Sequence, residues 1–274
     1  METLFFDRPE GKLAYDDNGT GPLVVCAPGM GDLRGEYRFL KDQLVSAGFR
    51  VITMDLRGHG ESSVPWPDYT IANQGHDLVA LIRSLNAGPA VVIGNSMSAA
   101  TAIWTAAEAP ELVDRLVLIG PAVRGDGTTA NHLMYKALFA RPWGPAMWLW
   151  YFNTLYPTHK PDDFEAYRAL LRTNLSQPGR MEALKAMMLE PKTPAETRMP
   201  EVTAPVLAVM GTQDPDFKDP EAEARWVADT LKGRYQMIAG AGHYPHAELP
   251  EVTGPTILAF LQNLKEKQVP VYAA

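Results

Sequence analysis

Two kinds of apolar pattern alternate along the chain. Leu23-Val24-Val25-Cys26-Ala27, Val51-Ile52-Thr53-Met54, Ala90-Val91-Val92-Ile93, Leu116-Val117-Leu118-Ile119 and Val206-Leu207-Ala208-Val209-Met210 are short and almost unbroken. Such runs are too continuously apolar for strands with one solvated face, so they predict strands covered on both faces. Between them the apolar positions recur at helical spacing. Tyr37, Leu40 and Leu44 lie on one stripe of a helix expected over 36–47 and stopped by Gly48. Leu78, Leu81, Ile82 and Leu85 do the same over 74–85, and an Ala-rich stretch follows over 99–107. Later come a helix over 220–231, a strand over 234–238 and a last helix over 250–265. Thr3–Phe6 and Lys12–Tyr15, around Pro9, Glu10 and Gly11, predict an antiparallel start. Strand and helix in short alternation give an α/β fold: a mainly parallel central sheet with helices on both faces.

The rhythm breaks over 120–201. Helix-like segments at 131–139, 145–154, 162–175 and 181–189 are interrupted by prolines, with no strand between them. The pattern predicts a helical cap inserted after the sixth strand, with 1–120 and 201–274 as the core domain and 121–200 as the cap. Asp162 and Glu165 resemble a capping box at one helix start. Trp143, Met147, Trp148, Trp150, Tyr151 and Phe152 are too dense for one amphipathic face. They are expected mainly to dock the cap, with at least one of Trp143, Met147, Trp148, Tyr151 and Phe152 also lining a ligand pocket. Residues 268–274 lack periodicity and read as a frayed tail.

Composition narrows the function. The chain has 274 residues, 46% hydrophobic and 21% charged, which is globular and sufficient for a large core. A net charge of −7 argues against nucleic acid or an anionic membrane surface as a partner, because both require concentrated Lys and Arg. The single cysteine, Cys26, sits in a strand pattern, so no intrachain disulfide is expected. Met1–Asp7 lacks the basic start and apolar stretch of a secretory signal, and no run has the length of a membrane span. The expected location is the cytoplasm. Neither HExxH spacing nor a Gly-rich dinucleotide fingerprint occurs, so no metal and no cofactor are expected.

The chemistry centres on Gly94-Asn95-Ser96-Met97-Ser98, between a β-branched run and an Ala-rich one. Strand, sharp turn and helix make the setting of a nucleophile elbow, in which the serine is strained and exposed above the sheet. The flanking positions must be small, and Ser98 stands where the GxSxG pattern has its second glycine. An alkyl hydroxyl needs a base to become nucleophilic. His243 and His246 are the candidates in Gly242-His243-Tyr244-Pro245-His246, and Asp214 and Asp216 are candidates to orient the base.

The ordered set of Pro28-Gly29-Met30-Gly31, Asp55-Leu56-Arg57-Gly58-His59-Gly60, Gly94-Asn95-Ser96-Met97-Ser98, Gly211-Thr212-Gln213-Asp214 and Gly242-His243 resembles an α/β-hydrolase fold enzyme with a helical cap, across nearly the whole chain. The resemblance implies Ser96 as nucleophile, His243 rather than His246 as base, Asp214 rather than Asp216 as acid, and backbone amides of Met30 and Met97 as the oxyanion hole. It implies a mostly structural role for Asp55, Arg57 and His59. Pro28 departs from the family, which usually has His before Gly29. The expected function is a serine hydrolase of a small, largely apolar ester or related acyl compound, without cofactor. A lactonase, carbon–carbon bond hydrolase or perhydrolase shares the triad, and a ligand-sensing protein shares the fold. Oligomeric state is not encoded in these patterns.

Overall fold

The computed structural model describes residues 2–125, 137–140 and 142–262. Its centre is an eight-stranded sheet in the order β1-β2-β4-β3-β5-β6-β7-β8. The strands are β1 (Leu4–Arg8), β2 (Gly11–Asn18), β3 (Leu23–Ala27), β4 (Arg50–Met54), β5 (Ala90–Asn95), β6 (Val113–Ile119), β7 (Val206–Gly211) and β8 (Arg234–Ile238). β1 and β2 pair antiparallel, as does β2 with β4, and all other pairs are parallel. β3, β5 and β7 are buried at every residue. The unbroken apolar runs thus lie in the sheet interior, where both faces need covering.

Successive side chains supply the two faces. Val25, Val92, Leu116 and Ala208 pack on one side with α2 (Ile71–Leu85), α3 (Met97–Glu108) and Val227 of α8 (Pro220–Thr230). Val24, Val91, Val117 and Val209 pack on the other with Leu40 and Leu44 of α1 (Arg38–Ser46) and Ile257 and Leu261 of α10 (Pro250–Gln262). α2 begins three residues before the expected start at 74, because the Thr70 hydroxyl accepts from Asn73 N–H at 3.2 Å and caps the first turn.

Between β6 and β7 the described residues form helices and turns only: α4 (Gly144–Thr154), α5 (Phe164–Leu175), α6 (Arg180–Met188) and α7 (Thr193–Glu196). Residues 131–136 of the expected 131–139 helix lie outside the described residues, as do 263–265 of the last helix and the tail at 268–274. The Asp162–Glu165 capping box does not form. Asp163 is the N-cap of α5 without a capping hydrogen bond, and both its oxygens accept instead from the Arg38 guanidinium at 2.6 and 2.7 Å. That bidentate pair fastens α5 to α1. Asn174 to the Gly60 carbonyl at 2.8 Å and Arg180 to the Ser62 carbonyl at 2.6 Å fasten α5 and α6 to the loop after β4. A buried cluster of Phe152, Tyr156, Phe164, Tyr167 and Tyr244 completes the docking. No periodic pattern marks α9 (Pro245–Glu248), a single turn set off from α10 at Leu249.

Candidate active site

The motifs singled out in the sequence follow the carboxyl ends of parallel strands: Pro28 to Gly31 after β3, Ser96 after β5, Asp214 after β7 and His243 after β8. Open parallel sheets bind ligands outside those ends. Ser96 has φ 55° and ψ −122°, a conformation that a side chain normally avoids and that persists only where surroundings enforce it. They do so here. Ser96 N–H donates to the Ile119 carbonyl at 2.8 Å, and the Ser96 carbonyl accepts from Ala99 N–H at 3.1 Å and Ala122 N–H at 3.2 Å. A Cβ on Gly94 would stand 2.3 Å from the Ser98 carbonyl oxygen, so only glycine fits there. Ser98, by contrast, fits as serine. Its buried hydroxyl donates to the Pro28 carbonyl at 2.6 Å and ties the elbow to the loop after β3.

His243 Nδ1 lies 2.7 Å from Asp214 Oδ2, and both side chains are buried. The histidine packs against Gly120, the residue after the Ile119 carbonyl that anchors Ser96; a Cβ at Gly120 would come 3.1 Å from Nδ1. Asn95 Nδ2 spans the same junction, donating to the Ile119 carbonyl at 3.2 Å and the His243 carbonyl at 3.3 Å. Among the described residues no hydrogen bond joins Ser96 Oγ to His243. The neighbour found at Nε2 is Asp216, with Oδ2 at 3.7 Å. Tyr151 of α4 donates to Asp216, 2.7 Å from both of its oxygens. Burial is the largest influence on His243 and pushes its pKa down, but the Asp214 and Asp216 carboxylates overcome it and hold the imidazole up at about 9.

His246 is placed quite differently. It is buried, stacks on Tyr37 with centroids 5.0 Å apart, and burial pushes its pKa down to about 3. Asp55 and Arg57 bind Arg34 and Asp77 respectively, and His59 Nδ1 meets the Arg57 carbonyl at 3.0 Å, so the loop after β4 is internally tied. Asp214, Asp216 and His243 are the one grouping of three potential metal ligands among the described residues, their ligand atoms within 4.8 Å of one another. The Nδ1 to Oδ2 hydrogen bond already pairs two of the three.

Ser96 lines a cavity of about 590 Å3 with Met30, Met97, Asp216 and residues of the helical segment. No hydrogen bond donated by the Met30 amide is found among the described residues. Of the five expected pocket residues, Met147, Trp148 and Tyr151 line this cavity. Trp143 and Phe152 do not. Trp143 is 52% exposed, its Nε1 donating to the Ala137 carbonyl at 3.1 Å, and Phe152 is fully buried in the docking cluster. Leu138, Phe139, Met187, Met188, Arg124 and Phe217 also line the cavity and were not singled out. Met187 and Met188 sit in a helix whose apolar residues have no clear stripe in sequence, so no periodic signal marked them.

The sequence profile of the alpha/beta hydrolase fold family matches residues 22–250. The chain is 34% identical to BpoC of Mycobacterium tuberculosis, whose name classes it with the non-heme bromoperoxidases; the alignment covers 92% of this chain and 98% of BpoC. Among solved structures, an esterase of Thermogutta terrifontis superposes with TM-score 0.79 at 24% identity, covering 97% of this chain and 100% of its own. An enol-lactonase of Burkholderia xenovorans superposes with TM-score 0.81 at 22% identity, covering 95% and 100%. At those identities the two structures bear on the fold.

Proposed function

The chain belongs to the α/β-hydrolase fold family, and from that membership we propose that it is a serine hydrolase of small, largely apolar carboxylic esters or related acyl compounds. The observation that carries the reading is one junction: a serine forced to φ 55°, and a buried His–Asp pair 2.7 Å apart packed against the next strand end, beside a cavity lined in part by Met30, Met97, Met147 and Trp148. Strain of this kind persists where it serves a site.

In this reading Ser96 Oγ attacks the acyl carbonyl while His243 Nε2 takes its proton, and Asp214 holds the ring with Nδ1–H toward its carboxylate. The carbonyl oxygen, now an alkoxide, receives the Met30 and Met97 amides. Collapse of the adduct breaks the ester C–O bond, and His243 returns the proton to the departing alcohol. Water attacks the acyl-Ser96 ester, gives its proton to Nε2, and the carboxylic acid leaves with Ser96 restored. The Nε2 to Oγ contact forms as substrate is bound, since such contacts are often open in the empty site.

The cavity lining favours ester over peracid chemistry. Met30, Met97, Met147, Met187 and Met188 all line it, and a peracid released among thioethers would be consumed in oxidising them. The test is a panel of p-nitrophenyl acetate, butyrate and octanoate, with γ-butyrolactone alongside. Ester turnover is expected, and Ser96→Ala should reduce kcat by about 10⁴-fold. Undiminished turnover in Ser96→Ala would refute the reading.

A further inference from the structure

Glu36 poses a problem that fold stability does not answer. It is 1% exposed, and no lysine or arginine among the described residues pairs with it. Oε2 accepts from Gly29 N–H at 2.7 Å. Oε1 lies 3.0 Å from His246 Nε2 without hydrogen-bond alignment, so Oε1 and both ring nitrogens of His246 are buried with no hydrogen-bond partner among the described residues. Burying an acid with so little compensation is costly, and an apolar side chain of the same size would be the cheaper filling.

The partner of Oε2 gives the acid a purpose. The Pro28–Gly29 peptide is gripped on opposite edges: its carbonyl accepts from Ser98 Oγ at 2.6 Å and its N–H donates to Glu36 Oε2 at 2.7 Å. The next peptide is held as well, because the Gly29 carbonyl accepts from Asp32 N–H at 3.1 Å. A trans peptide is planar, so fixing the Gly29 carbonyl on one side turns the Met30 N–H to the other. Met30 lines the cavity beside Ser96, and Ser98 is the residue that stands where the elbow pattern has glycine.

We infer that Glu36 and Ser98 are positioning residues, a clamp on the Pro28–Gly29 peptide that aims the Met30 amide at the developing oxyanion. The inference rests on the reading of Ser96 as nucleophile. Glu36 acts here as a hydrogen-bond acceptor rather than as a charge; burial raises its pKa to about 8, against the opposing influence of the Gly29 N–H, so the acid is mostly neutral at pH 7. Glutamine keeps that acceptor. Leucine removes it, and Ser98→Ala removes the opposite grip while leaving a side chain of almost the same size.

The experiment follows inactivation by a fluorophosphonate probe, separating reversible binding (KI) from the bond-forming rate (kinact), with Tm recorded. Displacement at phosphorus also builds negative charge on oxygen, so kinact reports the amide's aim. Glu36→Leu and Ser98→Ala should each lower kinact by about 10²-fold at unchanged KI, the cost of misplacing a group by about 1 Å. Glu36→Gln should keep close to the native rate. Glu36→Leu should lower Tm, because the buried Gly29 N–H loses its acceptor. A native kinact in either Glu36→Leu or Ser98→Ala would overturn the clamp, as would a Glu36→Gln as slow as Glu36→Leu. If Glu36→Leu fails to fold, Ser98→Ala decides alone. Failure of the native protein to react at Ser96 would instead refute the nucleophile itself.

Discussion

His243 meets a carboxylate on each ring nitrogen, and the two do opposite things. Asp214 at Nδ1 fixes the tautomer a base needs. Asp216, 3.7 Å from Nε2, favours the protonated ring at the atom that must accept a proton. With the imidazole at about 9, kcat/KM should rise with pH until the ring loses its proton near that value. Asp216→Asn removes one of the two carboxylates that raise the pKa, so the rising limb should move to lower pH while the plateau changes little. A limb that stays in place would place Asp216 outside the electrostatics of the base. Stability has its own sign: the folded pKa of about 9 exceeds the ordinary 6.5, so the contribution is complete below 6.5 and is lost as pH rises through 9. His243→Ala should cost nearly as much activity as losing Ser96, and His246→Ala far less, because His246 lies under the loop and not at the cavity. In the sequence only the family resemblance chose His243 over His246 and Asp214 over Asp216, since each pair shares one turn. Only the approach of β7 to β8 decides which nitrogen each acid faces.

On the scale of a single element, α4 does three jobs with one uncharged stretch, Gly144–Thr154. Phe152 is buried against Tyr156, Phe164 and Tyr244; Met147, Trp148 and Tyr151 line the cavity; Trp150 reaches its rim at 61% exposure. Phe152→Ala should therefore lose about 3 to 5 kcal/mol of stability with unchanged preference among acyl lengths. Met147→Ala should leave stability nearer native and shift kcat/KM between butyrate and octanoate esters by about 1 to 3 kcal/mol. Thermal midpoints and a two-ester assay check both, and equal selectivity in the two variants would make this face scaffolding. The sequence could locate α4 but not divide it. Where apolar positions run almost unbroken, no polar face sets the phase, and the assignment of Trp143 and Phe152 to dock or pocket depends on what packs opposite.

Across the whole molecule, the legible features were those with local causes. Unbroken apolar runs identified the parallel strands because both faces of that sheet are covered. The strand-end motifs marked the candidate nucleophile, base and acid because glycines are needed where backbones close, as at Gly94 against Ser98. What stayed hidden was made by contacts distant in sequence: Glu36 beneath Gly29, Asp216 at His243 Nε2 under Tyr151, and Asp163 taken from its helix by Arg38. The proposed reaction requires covalent catalysis at one serine, Ser96. Rapid quenching of the protein during turnover of p-nitrophenyl butyrate, followed by peptide mass mapping, tests that directly. A butyryl adduct on the peptide carrying Ser96 is expected, formed in the burst phase and absent in Ser96→Ala. Steady turnover with no adduct at Ser96, or with the adduct on Ser98, would contradict it.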